Sequence, residues 1–302
     1  MLNPNPQMLL RLCQADAYAH ACEYIKFPRD EAILKAVLKF EGYVAHPIHL
    51  NLKSGWYTDD GAMSIAVSEV LLQKPPYTKQ MFANAFVDVF QRDYRDGYAR
   101  NFQAFLDTVK DGSDFLARVR PDSVKNGACM RAVPLGVLKT PKEVLDVAKL
   151  QASLTHDTEV GILSAQLVGL MSHLALYTDE PFDKFPKLIL QITKDGAAAQ
   201  ILSTLWDGRP VTSRGGPGIA LATVQAAFTA IVTSSNLIEV MQKVVSWGGD
   251  TDSVATIAWG IASTRFKEEL DDFWYYKLEP GKKYGGPFLE QLGQKLMDYF
   301  NE

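Results

Sequence analysis

Apolar residues recur at helical spacing along almost the whole chain. After Gly61 they follow the i, i+3, i+4, i+7 pattern of one helix face, and 254–261 repeat it. Similar stripes cover about 7–25, 77–92, 128–138, 142–153, 158–176, 218–245 and 286–300. Alternating strand patterns are scarce, and strands do not alternate with helices. The pattern therefore predicts an all-α fold and disfavours a Rossmann-type sheet.

Turn residues interrupt the stripes without dividing the chain into separate units. Clusters of Pro, Gly and Asp mark breaks at 74–76, 110–113, 207–210 and 279–281. No low-complexity linker and no fixed-period repeat occurs. We therefore expect one compact multi-helix domain over residues 1–302.

Composition narrows the class of protein. The 302 residues are 47% hydrophobic and 22% charged, as in globular proteins, and the net charge of −4 disfavours nucleic acid as a partner. Three cysteines do not make a disulfide framework. The charge-free stretches 160–178 and 215–238 carry polar residues, which favours buried core helices over membrane spans. The start of the chain does not resemble a signal peptide, so we expect a cytoplasmic protein with no membrane partner.

Two acidic clusters stand immediately before predicted helices. Their members are Thr58, Asp59 and Asp60 in the first, and Asp250, Asp252 and Ser253 in the second. Helix capping is the simplest interpretation, but capping needs one side chain and each cluster offers several. If the two helix starts meet, four carboxylates repel one another unless a divalent cation lies between them. Oxygen ligands favour Mg²⁺, Mn²⁺ or Ca²⁺, and four carboxylates can hold two ions.

Two further acids extend an apolar helix face near the N-terminus. Asp16 and Glu23 continue the stripe formed by Leu9, Leu12 and Cys13. An acid on such a face is expected to be partly buried. It is then either paired structurally or kept with a shifted pKa for acid–base work, and the residues alone leave both open.

The order of these motifs resembles the ADP-ribosylglycohydrolase family over about residues 10–300. The matching segments are Asp16 to Glu23, Tyr57-Thr58-Asp59-Asp60, Asn126-Gly127-Ala128-Cys129-Met130-Arg131, Thr155-His156, Gly248-Gly249-Asp250-Thr251-Asp252, and Tyr284-Gly285-Gly286. One motif would be weak evidence, whereas several in order with suitable spacing are strong evidence.

The resemblance implies a central cleft that holds two Mg²⁺ ions, with Mn²⁺ as an alternative. The implied metal ligands are Thr58, Asp59, Asp60, Asp250, Asp252 and Ser253. Glu23 and Asp59 are the implied catalytic residues, with Glu23 in acid–base work. The residues implied to hold the diphosphate and ribose are Ser123, Asn126, Gly127 and His156, while Gly248 and Gly249 are implied to let the backbone approach the ligand.

The implied reaction is hydrolysis of the bond between ribose C1″ of ADP-ribose and an acceptor. The substrate is an ADP-ribosylated arginine or serine side chain of a protein, or a small ADP-ribose conjugate, and ADP-ribose is the product. The transition state carries oxocarbenium-like positive charge, which nearby carboxylates stabilise. Bound metal ions orient the ribose hydroxyls and lower the pKa of a water molecule.

Some positions depart from the family pattern. Ala15 and Ala19 replace usual glycines, and Val124 replaces an aromatic residue that can stack on adenine. Two alternatives therefore stay open: a catalytically silent relative that binds ADP-ribose or is structural, and a binuclear hydrolase of another ADP-ribose derivative.

Other candidates for chemistry carry less weight. His46 and His49 flank Pro47, which favours a loop over a zinc site. We expect His173 and Cys129 to be core residues, and the aromatic run 273–276 to pack in the core.

Overall fold

The computed structural model describes residues 2–26, 30–212 and 218–301, and α-helices dominate these ranges. In chain order they are α1 (Met8–Ala19), α2 (Glu31–Val37), α3 (Asp59–Leu71), α4 (Lys79–Arg92), α5 (Arg100–Leu106), α6 (Gly112–Arg118), α7 (Gly127–Met130), α8 (Pro141–Ala152), α9 (Glu159–Tyr177), α10 (Phe185–Thr193), α11 (Gly196–Ser203), α12 (Ile219–Val232), α13 (Leu237–Trp247), α14 (Thr251–Ala262), α15 (Phe273–Tyr276) and α16 (Gly286–Asn301). Short 3₁₀ segments lie at His20–Cys22, Val133–Val137 and Phe182–Lys184. Strand-like pairing within the described ranges is limited to two isolated bridges, which confirms the all-α prediction.

The predicted stripes correspond to the longer helices, with two differences. The stripe at 218–245 is two helices, because the Asn236 side chain accepts the Glu239 backbone N–H and so begins α13. The stripe at 128–138 divides into α7 and a 3₁₀ segment that contains Pro134. The stripes also missed several shorter helices, which are α2, α5, α6, α10, α11 and α15. These helices have four to nine residues, too few for a long periodic pattern.

Helices α1 and α14 pack against each other in the core and bring the two ends of the chain together. Every residue of α14 is buried, and Arg11 is the one residue of α1 that is not. The Thr251 hydroxyl donates to the Ala19 carbonyl oxygen at 2.8 Å, which joins the start of α14 to the end of α1. This contact places the second acidic cluster next to the segment that carries Glu23.

The apolar helix α9 also lies in the core. By length and composition it could cross a membrane, but 72% of its most apolar window is buried inside the protein. His173 on this helix is 4% exposed, and its Nδ1 lies 3.2 Å from the Gly136 carbonyl oxygen. Both observations agree with the core positions expected from the sequence. The second charge-free stretch, 215–238, lies outside the described residues at 215–217 and otherwise includes α12.

Candidate active site

Asp16 holds the first acidic cluster in place. Its Oδ2 accepts the backbone N–H groups of Thr58 at 2.9 Å and Gly61 at 2.8 Å, and its Oδ1 accepts the Thr58 hydroxyl at 2.9 Å. The side chain is completely buried, and burial raises its pKa to about 7 even though these bonds oppose the shift. Of the two roles left open by the sequence, Asp16 therefore has the structural one: it caps the start of α3.

The second acidic cluster is fixed by neighbours from three segments. Asp250 Oδ2 lies 3.2 Å from the Asn126 amide nitrogen and 3.3 Å from the Tyr24 hydroxyl, both of which donate to it. The Asp250 backbone N–H donates to the Val211 carbonyl oxygen at 2.8 Å. The charge of Asp250 raises the pKa of Asp60, and the charge of Asp60 raises that of Asp252, so the two clusters lie close together. The two helix starts therefore meet, which is the condition for a cation between them.

The meeting of these acids produces an electrostatic conflict. Burial and the charges of neighbouring carboxylates raise the pKa of Asp59 to about 8 and raise those of Asp60 and Asp252 well above the usual range. Within the described part of the chain, Asp60 Oδ1 and Asp252 Oδ1 are buried without a hydrogen-bond partner. Buried acceptors without donors, surrounded by like charges, are satisfied by a divalent cation. The oxygen-only donor set fits Mg²⁺ or Mn²⁺.

One cavity of about 1020 Å³ contains most of the predicted site residues. Those that line it are Glu23, Asp59, Asp60, Ser123, Asn126, Gly127, His156, Asp250, Asp252 and Ser253. The acids and Ser253 come from the starts of α3 and α14 and from the segment after α1, whereas the other residues come from the segment that leads into α7 and from the turn before α9. Sequence motifs that are far apart in the chain therefore share one cleft.

The remaining predicted residues lie behind the lining. Thr58 is fully buried, and its hydroxyl contacts Asp16 and Asp60. Gly249 has φ +81°, and a Cβ there would lie 2.1 Å from the Val211 carbonyl oxygen. Gly248 precedes it with φ +74°. In this structure the two glycines form the tight turn before α14 and do not line the cleft.

Backbone pairing places His156 beside the start of α7. Asp122 and His156 form an isolated antiparallel bridge, and the Ser123 N–H donates to the Thr155 carbonyl oxygen at 3.4 Å. A Cβ at Gly127 would lie 3.0 Å from His156 Cε1, so a larger residue would displace the imidazole. Ser123, Gly127 and His156 thus form one wall of the cleft.

Glu23 has the environment of a proton-transfer group. It follows the 3₁₀ segment at the end of α1, and its side chain lines the cleft. Burial raises its pKa well above the usual value, and the charges of Asp250, Asp59 and Asp16 raise it further. A carboxyl whose pKa is raised in this way can hold a proton near neutral pH.

A basic and aromatic wall was not found by the sequence analysis. Its members are Arg100, Phe102, Phe105, Arg118, Arg120, Lys125 and Arg131, all of which line the cavity. Arg118 lies 5.6 Å from the Phe105 ring centroid, and its guanidinium donates to Asp114 at 2.7 Å and to the Thr108 carbonyl oxygen at 3.0 Å. Most of these residues come from α5, α6 and the segment that follows, where no spacing pattern marks them, whereas Arg131 follows α7. The cleft therefore carries basic and aromatic residues as well as acids.

The histidine pair lies in a loop, as the sequence analysis expected. Glu23, His46 and His49 offer ligand atoms within 4.8 Å of one another, so they form a potential metal-binding group. However, His46 Nδ1 accepts the backbone N–H groups of Ile48 at 3.0 Å and His49 at 2.8 Å. The imidazole proton then lies on Nε2, which leaves His46 no free lone pair for a metal ion. The arrangement favours a structural role for His46 in this loop.

The family departures lie away from the cleft lining. Ala15 and Ala19 are fully buried in α1, and Val124 is 57% exposed beside the cavity-lining Ser123 and Lys125. Cys129 and Trp274 are buried, as expected, whereas Tyr276 at the end of the aromatic run is 69% exposed.

Known proteins have similar sequences and a similar fold. The chain is 25% identical over 295 residues to human "ADP-ribosylhydrolase ARH3", with 82% of this chain and 81% of the relative covered. It is 21% identical over 303 residues to "ADP-ribosylarginine hydrolase Tri1" of Pseudomonas putida (strain GB-1), covering 96% of this chain and 76% of the relative. The fold matches a solved structure described as "ADP-ribosylglycohydrolase-related protein complex" with a TM-score of 0.69 and 22% identity, over 97% of this chain and 96% of that one.

The family assignment follows from a match over nearly the full length. The model of the family described as ADP-ribosylglycohydrolase matches residues 7–302, which include both acidic clusters and the wall formed by Ser123, Gly127 and His156. The chain therefore belongs to the ADP-ribosylglycohydrolase family, whose members are hydrolases of glycosidic bonds.

Proposed function

We propose that the protein is a Mg²⁺-dependent hydrolase that cleaves the ribose C1″ bond of ADP-ribosylated side chains and releases ADP-ribose. The observation that carries this proposal is the meeting of two acidic helix starts in a single 1020 Å³ cleft. Buried carboxylate oxygens of Asp60 and Asp252 lack partners there. Such a site suits metal-assisted hydrolysis of a polar substrate.

The charge distribution of the cleft supports a ligand with both an anionic group and a ribose. Arg118, Arg120 and Lys125 on the basic wall offer positive charge to a diphosphate. The acidic side offers carboxylates to the carbon at which positive charge develops during glycosidic cleavage. Phe102 and Phe105 add aromatic surface to the basic wall, with ring centroids 5.9 Å apart. These two rings offer the ligand an aromatic surface in place of the aromatic residue that Val124 replaces.

The metal ligands in this proposal are the side chains of both clusters. Asp59, Asp60, Asp250 and Asp252 would hold two Mg²⁺ ions with the Thr58 and Ser253 hydroxyls, and the bound ions would supply charge that lowers the pKa of a water molecule. Thr58 is already oriented by Asp16, so its oxygen is fixed toward Asp60.

The protein residues then have separate tasks. Asp59 stabilises the positive charge that develops on the ribose. Glu23 takes a proton from the attacking water or gives one to the leaving group, because its raised pKa makes both forms accessible. Asn126 keeps Asp250 oriented by a 3.2 Å hydrogen bond.

The first test measures release of ADP-ribose from arginine- and serine-ADP-ribosylated proteins and from small ADP-ribose conjugates, with Mg²⁺ and with EDTA. The name of the Pseudomonas relative states an arginine linkage, so the arginine substrate is a suitable first choice. Metal-dependent release from either side chain supports the proposal and identifies the linkage. Release only from a small conjugate would support hydrolysis of the C1″ bond with a small leaving group in place of a side chain. Binding without release would indicate a catalytically silent relative.

A pair of aspartate variants tests whether the acidic cleft carries the reaction. Asp59→Asn should abolish turnover, whereas Asp146→Asn on the surface of α8 should leave it unchanged. Asp146 is 63% exposed, pairs with Lys142 and does not line the cleft. Circular dichroism of both variants establishes that the helical fold is intact. Turnover that survives Asp59→Asn would contradict the proposed site.

A further inference from the structure

A buried chain of polar side chains runs from Arg131 to His156. Arg131 is 1% exposed, and its Nε donates to Gln151 Oε1 at 2.6 Å while its Nη2 donates to the Gln151 carbonyl oxygen at 3.1 Å. The same Nη2 donates to the Thr155 hydroxyl at 2.9 Å. Its guanidinium also lies 4.4 Å from the Phe86 ring centroid. Arg131 is therefore held in one orientation.

The arginine determines what the Thr155 hydroxyl can do. An arginine side chain only donates hydrogen bonds, so Thr155 Oγ1 accepts from Arg131. The hydroxyl proton then needs an acceptor, and His156 Nδ1 lies 2.7 Å away. A buried hydroxyl that left this proton unused would lose a hydrogen bond that cannot be replaced by water. Thr155 thus donates to His156 Nδ1.

The donation fixes the tautomer of His156. A ring nitrogen that accepts a hydrogen bond carries no proton, so the proton of the neutral imidazole lies on Nε2. A Cβ at Gly127 would lie 3.3 Å from that nitrogen, and the absence of one keeps the Nε2 edge uncovered. His156 itself lines the cleft.

The surroundings also keep His156 uncharged. The side chain is buried, and positive Arg131 and Lys125 lie nearby, so burial first and these charges second lower its pKa to about 3. Arg131 stays protonated at neutral pH, because burial lowers its pKa only to about 9. In this hydrogen-bonded series the positive charge therefore lies on Arg131, and the His156 imidazole is neutral.

We propose that Arg131 and Thr155 are positioning residues that fix His156 as the Nε2–H tautomer, so that it presents a hydrogen-bond donor to the cleft. His156 then donates to an oxygen of the bound ligand, and it serves neither as a general base nor as a metal ligand. The tautomer follows from the hydrogen bonds alone, whereas the ligand contact rests on the proposed function.

The first experiment measures the tautomer in the protein without ligand. Protein labelled with ¹⁵N-histidine gives long-range ¹H–¹⁵N correlations that separate protonated from unprotonated ring nitrogens, and His156→Gln identifies the His156 signals among the five histidines. We expect an unprotonated Nδ1 and a protonated Nε2 between pH 6 and pH 8. A protonated Nδ1, or a doubly protonated ring, would overturn the proposal.

The second experiment separates positioning from stability. Thr155→Val removes the hydroxyl, so we expect both tautomers and about tenfold weaker binding of ADP-ribose by calorimetry in Mg²⁺. Thr155→Ser keeps a hydroxyl and should restore the single tautomer and the affinity. Thr256→Val is the matched control, because Thr256 is buried in α14 and its hydroxyl has no partner.

The outcomes of the two experiments are distinguishable. Thr155→Val with the native tautomer and affinity would overturn the proposal. If no form of the protein binds ADP-ribose, the proposed function fails, while the spectrum of the unmodified protein still decides the tautomer. A loss of affinity that Thr256→Val shares would indicate a general effect of losing a buried hydroxyl and would also overturn it.

Discussion

Asp16 binds both polar groups of Thr58: its carboxylate accepts the backbone N–H and the hydroxyl, each at 2.9 Å. The start of α3 is therefore built on α1, and the first acidic cluster depends on a residue that is not among the proposed ligands. Without this carboxylate, the backbone N–H groups of Thr58 and Gly61 and the Thr58 hydroxyl would lose their acceptor.

Asp16→Ala is expected to reduce both stability and activity. The free energy of unfolding should fall by about 1–3 kcal/mol, because buried N–H groups of Thr58 and Gly61 lose their acceptor. Urea unfolding followed by circular dichroism measures the loss, with Asp146→Asn as the exposed control. An unchanged free energy of unfolding would show that the carboxylate does not cap α3.

Asp252→Asn should have opposite effects with and without metal. In EDTA the variant should be at least as stable as the native protein, because one member of a repelling group of carboxylates has lost its charge. In Mg²⁺ the native protein should gain stability by binding the ion, whereas the variant should gain much less. Thermal unfolding in both buffers measures this difference. Equal Mg²⁺ responses in the two proteins would place the metal elsewhere.

Gly97 controls the space beside Asp59. It has φ +125°, and a Cβ there would lie 2.5 Å from Asp59 Oδ1 and 2.9 Å from Thr58 Cβ. Gly97→Ala should therefore displace Asp59 and lower kcat more than tenfold, and the strained backbone should cost about 1–2 kcal/mol of stability. Gly42→Ala, where no atom lies within 4 Å of the added Cβ, is the control. Native kcat in Gly97→Ala would show that Asp59 tolerates the shift.

The basic wall predicts a salt-dependent affinity for the anionic ligand. Replacing both Arg120 and Lys125 by Ala should weaken ADP-ribose binding several-fold at low ionic strength and flatten its dependence on salt. Binding of Mg²⁺ should be unaffected, because the acids are untouched. Calorimetry at two salt concentrations measures both effects, with exposed Lys187→Ala as the control. A variant with the native salt dependence would exclude these residues from ligand binding.

The acidic half of the site was predictable from the sequence and the basic half was not. Each acidic cluster, Thr58-Asp59-Asp60 and Asp250-Thr251-Asp252, carries more acids than a helix cap requires. This surplus of acids can be recognised from the sequence alone. Arg118 and Lys125 are ordinary surface cations in sequence, and their shared wall arises only from the packing of short helices.

The long-range contacts that hold the site in place could not be predicted from the sequence either. Arg95 is 3% exposed and donates to the Tyr57 carbonyl oxygen at 2.9 Å and to Glu279 at 2.5 Å, while Glu279 accepts the Tyr57 N–H at 3.0 Å. These contacts fix the residue that precedes Thr58. Glu279 is 184 positions from Arg95 in the chain, so no local pattern connects the two.

His20 predicts a dependence of stability on pH. Both of its ring nitrogens are buried without a hydrogen-bond partner among the residues that the structure describes, and its ring lies 6.1 Å from that of His46. Burial first and the nearby His46 second lower its pKa from 6.5 to about 3. The unfolded chain therefore binds the proton first as the pH falls. The stability that neutral His20 contributes is complete above pH 6.5 and is lost progressively between pH 6.5 and pH 3.

His20→Leu should reduce this sensitivity to acid. The free energy of unfolding of the native protein should fall more than that of the variant between pH 6.5 and pH 4.5, by up to about 1.4 kcal/mol per pH unit. The comparison is made as a difference because buried acids with raised pKa values, such as Glu23, respond in the opposite direction. Ile48→Ala, at an exposed position in the loop that carries His46, introduces no titratable group and should keep the native pH dependence. Parallel pH profiles for the native protein and His20→Leu would contradict this prediction. They would show that His20 takes up its proton in the folded state, which requires a local opening of the contact with His46.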